Sequence, residues 1–351
     1  MTSTRHLSLL VLACLAGGAQ AAGDGCDPSG GLEFVCGPKN AEDLVLVPGT
    51  QWIIASSLEA GAGLYLIDSR DATWSTLRPE VEHDPAFPDC TTPPPAATSS
   101  THGLSLRAGA GGRSTLYAVG HGPREAIEVF DVDASGAMPV IRWKGCVPMP
   151  AGLEANSVAF FADGSLVATV FAMPGKTLAE ALAGKPTGAV FDWSSGRKGF
   201  ELVRGTELPG NNGIEVSADG REIFVASVGL RTVVAFSRTH PAQQLRATER
   251  LPFVPDNLHQ DASGQLLTAG MKDDEPACGG VLGPQHDIPT ITACPRGFFA
   301  MAIDPATMKG TVIAQGPANP AFNVATMVLT VGPRFWLGTF RGDRIGHGRL
   351  R

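Results

Sequence analysis

Five oxygen-bearing side chains stand at one phase of a recurring pattern. Asn212 opens the run Asn212-Gly213-Ile214-Glu215-Val216, and Gly220 of an Asp-Gly turn follows eight residues later. Asn156 stands eight residues before Gly164, and Glu42 seven before Gly49. Asp256 and Asn257 stand eight and seven before Gly264. Two carboxylates and three carboxamides brought to one place would share an obvious partner, a hard divalent cation. Mixed oxygen ligation of this kind suits Ca²⁺, whose coordination is large and tolerant, better than Zn²⁺. The two negative charges would balance the ion. Asn and Asp favour turns and strand starts on their own account, so the weight lies on the shared phase rather than on any one residue.

Each polar start leads into a short apolar strand, a turn, and a second strand rich in β-branched and aromatic residues, as in Arg221-Glu222-Ile223-Phe224-Val225-Ala226-Ser227. With His102-Gly103-Leu104 as a looser copy and an apolar one at Val324-Ala325, the units begin near residues 42, 102, 156, 212, 256 and 324. That spacing fits a four-stranded blade with its loops, and no 3.6-residue apolar period supports a helical solenoid. The expected fold is all-β: a six-bladed β-propeller with a central-channel metal site, formed as one domain by residues 22–351. The first strand of each blade would line the channel and bring the five side chains to its axis. Residues 22 to 40 are expected to add a strand that closes the ring against the last blade. Residues 71 to 101 read mostly as loop, Thr177 to Leu182 as a short helix, and Asp273 to Pro295 as an insertion in the fifth unit. With the segment 173–188, these loops would shape a pocket.

Gly 43 and Pro 27, against 17% charged residues, also favour many short strands over helices. Residues 1–21 read as a secretory signal: Arg5 and His6, an apolar run from Leu7 to Leu15, then Ala19-Gln20-Ala21 as the cleavage site. A competing reading makes Cys14 a lipid-attachment site. A secreted or periplasmic protein is expected, with no transmembrane segment. The net charge of −7 and the lack of a basic run argue against a nucleic-acid partner, and a monomer is expected. Beyond residue 21 stand Cys26, Cys36, Cys90, Cys146, Cys278 and Cys294, an even set without metal-site spacing. Several pairings are open; nearest-neighbour disulfides, 26–36, 90–146 and 278–294, are the expectation.

Glu42-Asp43-Leu44, His102-Gly103-Leu104-Ser105, Gly120-His121-Gly122-Pro123 with Glu128-Val129-Phe130, Asn156, Asn212-Gly213-Ile214 and Asp256-Asn257 together resemble the paraoxonase/arylesterase family. More widely they resemble the gluconolactonase-like and SMP-30-like calcium propellers. The resemblance runs from about residue 40 to the C-terminus. It implies that Glu42, Asn156, Asn212, Asp256 and Asn257 are ligands of a catalytic Ca²⁺. It also implies that Asp43 and the Leu104 carbonyl are ligands of a second, structural Ca²⁺, and that His102 and His121 are a catalytic dyad. The chain departs from the family at Ser157, where an Asp is usual, which removes a carboxylate from the second site. No cysteine follows Cys294, so the family's disulfide between the N-terminal region and the last blade has no counterpart.

The chemistry so implied is hydrolysis of a small-molecule ester or lactone, with Ca²⁺ polarising the carbonyl and the histidines activating water. Two rivals are a sugar-lactone hydrolase, in which the dyad is incidental, and a non-catalytic binding propeller whose channel ion is structural. Ser105 lacks a Gly-x-Ser-x-Gly setting. His83, His259 and His286 read as loop or turn residues without a role.

Overall fold

Six sheets, antiparallel but for one short edge strand, succeed one another along the chain in a computed structural model, which describes residues 26–350. The expectations for the leader and for Cys14 lie outside the described residues. The inner strands of the six blades are Leu44–Leu46, Ser100–Ala108, Val158–Phe160, Asn211–Val216, Leu258–Gln260 and Ala325–Val331. Each begins within two residues of the start expected from the repeat. The sixth sheet is completed by Glu33–Cys36, which pairs antiparallel with Arg344–Arg349 and so closes the ring with residues from the opposite end of the chain.

The turns that end three inner strands use one device. The carboxylates of Asp163, Asp219 and Asp261 each accept a hydrogen bond from the backbone N–H two residues on, at Ser165, Arg221 and Ser263. A glycine at positive φ then lets the chain reverse, at Gly164, Gly220 and Gly264. These are the Asp and Gly positions that mark the repeat in sequence.

The core is divided into slices, one between each pair of neighbouring blades. Leu66 and Leu116 meet between the first and second blades, Val119 and Val158 between the second and third, and Val190 and Ile214 between the third and fourth. Phe224 and Leu258 share the next slice, Phe298 and Leu337 the one after, and Leu44 and Trp336 the last. A strand in the middle of a blade is therefore buried on both faces. This is why segments such as Leu166–Val170 read as continuous apolar runs rather than as alternation.

Residues 71 to 101 hold more order than expected. They include the outer strand of the first blade, Thr73–Leu77, and a two-residue strand, Glu80–Val81, that joins the second blade in parallel. The loop reading fails there because, Leu77 apart, both strands are exposed and so carry no apolar signature. The short helix is Leu178–Leu182; the Thr177 hydroxyl accepts from the Glu180 N–H, and the Glu180 carboxylate from the Thr177 N–H. The insertion contains a small hairpin, Asp274–Glu275 with Gly280–Val281, and the helix Ile288–Ala293. Arg231 anchors it, donating to Asp273 Oδ1 at 2.9 Å and to the Leu282 carbonyl at 2.7 Å. Disulfides join Cys26 to Cys36, Cys90 to Cys146 and Cys278 to Cys294. No described helix is long and apolar enough to cross a membrane; with the three disulfides, this is compatible with secretion or a periplasmic place.

Candidate functional site: a polar ring at one mouth of the channel

Regular β-ladders would send alternate side chains into the blade interfaces. At three inner strands the ladder slips instead, between Thr101 and Leu104, between Asn211 and Ile214, and between Ala325 and Val328. The residues passed over include His102-Gly103, Asn212-Gly213 and Thr326. A slip of this kind re-aims a side chain, and here it turns the residues toward the axis. The glycines allow the close approach: a Cβ on Gly213 would lie 2.4 Å from the Asp256 carbonyl oxygen, and one on Gly103 2.6 Å from Ser157 Cα.

Each seam between blades is tied at this level. Thr326 Oγ1 donates to the Glu42 carbonyl, the Asn257 N–H to the Thr326 carbonyl, and the Gly213 N–H to the Asp256 carbonyl. Thr169 Oγ1 donates to the Asn212 carbonyl, the Gly103 N–H to the Asn156 carbonyl, and the Leu104 N–H to Asp43 Oδ2 at 2.7 Å. The site residues are thus held by the contacts that close the ring. The polar member supplied by the sixth blade is Thr326, one step past the apolar Val324-Ala325 at which the sequence repeat begins.

Side chains follow the backbone. Asn257 Nδ2 donates to Glu42 Oε1 at 2.5 Å, and His102 Nε2 lies 3.7 Å from the same oxygen and 3.5 Å from Asn156 Nδ2. The Asn212 amide faces the Asp256 carboxyl and acts to lower its pKa. What these contacts leave bare is informative. Glu42 Oε2, Asn156 Oδ1, Asn212 Oδ1 and Asn257 Oδ1 are buried and have no hydrogen-bond partner among the described residues. Buried acceptors in native proteins are almost always satisfied, so four bare oxygens at or just before the inner strands of four blades fit a site for a bound partner. Water would satisfy them as acceptors but not as charges. Burial, then Asp256 and Asp43, push the Glu42 carboxyl well above the usual range against the Asn257 hydrogen bond. Burial first and Asp43 after it push Asp256 up to about 8, against the Asn212 amide. The missing ingredient is positive charge, and the donor set fits a hard cation. Among the described residues no group of three or more His, Cys, Asp or Glu forms a metal cluster, as expected when carboxamides make up most of the set.

The two histidines of the expected dyad meet: His102 Nδ1 and His121 Nε2 are 3.0 Å apart. A third member carries no signal in the sequence. Glu125 Oε2 lies 2.6 Å from His121 Nδ1, across the turn that follows the strand Arg113–His121. The Gly120-His121-Gly122-Pro123 run stands out only for its match to a family, and nothing in the residue types alone points Glu125 back at His121.

Asp43 and Leu104 lie deeper in the channel, and His259 joins them. Asp43 Oδ1 accepts from the Leu44 N–H at 2.8 Å and faces His259 Nε2 at 2.8 Å. Leu104 meets Asp43 through its amide N–H, so both carboxylate oxygens are occupied by nitrogen groups. His259 sits on the inner strand Leu258–Gln260 and is 8% exposed; the reading of it as a turn residue is corrected, because a strand of three residues is too short to show a period. Burial pulls the His259 pKa down, but the charge and hydrogen bond of Asp43, with Glu215, outweigh it and raise it. His83 and His286 do lie in loops, against the Phe87 and Gly283 carbonyls. Beyond His259 the channel widens into a cavity of about 790 Å³ lined by Glu215, His259, Ser105, Leu106, Phe160 and Gln260 among others. These residues lie at or toward the far ends of the inner strands, so this cavity opens at the mouth opposite Glu42 and Asn212. At the near mouth, Leu182, Val228, Val254, Leu282, Ile291 and Val324 form an apolar cluster that includes residues of the helix and of the insertion.

No family model and no curated protein sequence matches this chain. Solved structures do. A luciferin-regenerating enzyme superposes with a TM-score of 0.54 at 14% identity, covering 90% of this chain and 94% of the other. A structural-genomics target assigned as a gluconolactonase gives 0.51 at 15% identity over 92% and 93%. A calcium-binding regucalcin from Agrobacterium tumefaciens gives 0.51 at 11% identity over 90% and 94%. The chain has their fold. At these identities the likeness reaches the six-bladed propeller fold, while the gluconolactonase-like and arylesterase resemblances rest on the residues alone.

Proposed function

We propose that this protein is a calcium-dependent hydrolase of lactones or carboxylic esters. The observation that carries the reading is the group of four bare, buried oxygens on Glu42, Asn156, Asn212 and Asn257, set beside the His102 imidazole. The names of the similar structures, a gluconolactonase and a calcium-binding regucalcin, support it. Glu42, Asn156, Asn212, Asp256 and Asn257 would hold the ion. Bound there, Ca²⁺ supplies Lewis-acid polarisation of the substrate carbonyl and offsets the negative charge that builds on its oxygen.

The chain's own part is proton handling and shape. Burial first, then the like charge of His121, hold His102 neutral, its pKa lowered to about 3. The Nε2 lone pair is therefore uncharged and available throughout the neutral range, although burial makes the ring a weaker base than an ordinary histidine. His121 takes the hydrogen bond at His102 Nδ1 and so holds the ring with Nε2 toward Glu42 and Asn156. A positioned base of this kind contributes about 10²–10⁴-fold. A second structural ion is not part of the proposal, since nitrogen groups already engage both Asp43 oxygens.

The test is hydrolysis of phenyl acetate and of simple lactones by the purified protein, with EDTA abolishing turnover and Ca²⁺ restoring it. Hydrolysis indifferent to chelation would sink the metal mechanism. His102→Gln separates the two enzymatic readings: turnover falls if the dyad acts, and stays nearly intact in a sugar-lactone hydrolase, whereas Asn212→Ala removes it in both. The cavity of about 790 Å³ at the opposite mouth favours one other reading, a binding propeller; calcium binding without hydrolysis of any lactone or ester would select it.

A further inference from the structure

We propose that Glu125 is the positioning residue of this site, a carboxylate that fixes the tautomer of His121 and, through it, the direction of the His102 base. The inference rests on the hydrolase reading for its catalytic consequence, though not for its geometry. Three contacts form a line. Glu125 Oε2 is 2.6 Å from His121 Nδ1, His121 Nε2 is 3.0 Å from His102 Nδ1, and His102 Nε2 is 3.5 Å from Asn156 Nδ2 and 3.7 Å from Glu42 Oε1. A carboxylate only accepts. His121 must then carry its proton on Nδ1 to donate to Glu125, which leaves Nε2 as an acceptor. His102 in turn must donate from Nδ1, which leaves the lone pair of Nε2 pointing at the ring of bare oxygens. Without the carboxylate, either tautomer of His121 serves, and in the other one His121 donates to His102 Nδ1. His102 then carries its proton on Nε2, where it cannot act as a base. The same logic gives Asn156 its bare oxygen, because its Nδ2 is the side turned to His102.

Glu125 is held for this purpose. Its carbonyl accepts from the Met149 N–H at 2.9 Å, and its Oε1 accepts weakly from the Gly122 N–H at 3.4 Å. Gly122 is at φ +139, a conformation that other residues rarely adopt, and it sets the turn that returns Glu125 to His121. The cation nearest in sequence, Arg124, does not compete. It donates to Glu128 and to the Thr92 carbonyl instead. The Glu125 and His121 side chains are 24% and 20% exposed, so the line runs from the buried oxygens out to solvent.

The experiment compares Glu125→Gln and Glu125→Asp with the parent protein, by kinetics on phenyl acetate and a simple lactone and by ¹⁵N–¹H correlation of the histidine side chains. The expected result for Glu125→Gln is kcat lower by about 10–100-fold, with KM and calcium affinity within about twofold. The His121 signals should shift from a single Nδ1–H pattern to a mixture, and Glu125→Asp should recover part of both. Parent-like kcat in Glu125→Gln, or a fall in kcat with the His121 pattern unchanged, would overturn the proposal. If the parent hydrolyses neither substrate, the hydrolase reading fails on its own, and the His121 pattern in parent and variants still decides whether Glu125 sets the tautomer.

Discussion

Asn257 and Glu42, 215 residues apart in sequence, share a hydrogen bond of 2.5 Å from Asn257 Nδ2 to Glu42 Oε1. The bond uses the donor of the amide and one oxygen of the carboxylate, so the other oxygen of each is left without a partner. Both side chains are buried, and neither could be placed there by its own blade alone. A cation seated between them would have measurable consequences for stability, pH dependence and stoichiometry.

Calcium should stabilise the fold. An ion at a hundredfold excess over its Kd adds about 2.7 kcal/mol, read as a rise in melting temperature of several degrees with CaCl₂ over EDTA. Asn257→Ala and Asn212→Ala should each lose most of that increment. An equal increment in parent and both variants would place the ion elsewhere.

The increment should depend on pH. In the chelated protein the Glu42 carboxyl is raised well above its usual value and Asp256 to about 8. The folded state then binds these protons more tightly than the unfolded chain, so the stability they leave is full below about pH 4 and falls as pH rises toward 8. Calcium replaces the protons, and the loss should vanish with the ion present. Melting curves at pH 5, 6, 7 and 8, with and without calcium, should diverge as pH rises; a constant gap would contradict this.

One ion per chain is expected at the channel. His259 Nε2 and the Leu104 N–H occupy the two Asp43 oxygens, and Ser157 offers a hydroxyl in place of a carboxylate. Native mass spectrometry in calcium should give a single bound ion, unchanged by Ser157→Ala. Two ions, with one lost in Asp43→Asn, would place a second cation where His259 stands.

Gly213→Ala should weaken both fold and site. Its Cβ would lie 2.4 Å from the Asp256 carbonyl oxygen and 2.5 Å from the Leu258 nitrogen, an overlap that costs about 1–3 kcal/mol and shifts Asp256. Gly136→Ala, with only the Met138 carbonyl oxygen at 3.8 Å, should stay within about 0.5 kcal/mol of the parent. Equal melting temperatures for the two variants would refute the close approach at Gly213.

The fold is legible in the sequence because its unit repeats: an Asp or Asn, a strand and a turn glycine recur, and the turns at Asp163, Asp219 and Asp261 are built alike. The candidate ligands are legible for the same reason, since equal phase in equal units means equal height on one axis. Glu125 and His259 are not. The first acts across a turn that no repeat shares, and the second lies on a strand of three residues facing a carboxylate from the first blade.

The sequence by itself determined the number of blades, the closing strand near residue 35 and the phase shared by Glu42, Asn156, Asn212, Asp256 and Asn257, all read from a unit that recurs along the chain. Tertiary structure alone decided that Asn257 spends its donor on Glu42, that nitrogen groups fill Asp43, and that Glu125 stands behind His121. Those outcomes depend on which lone pair faces which hydrogen, and that is fixed only when six blades pack and every buried polar atom must settle its partner at once.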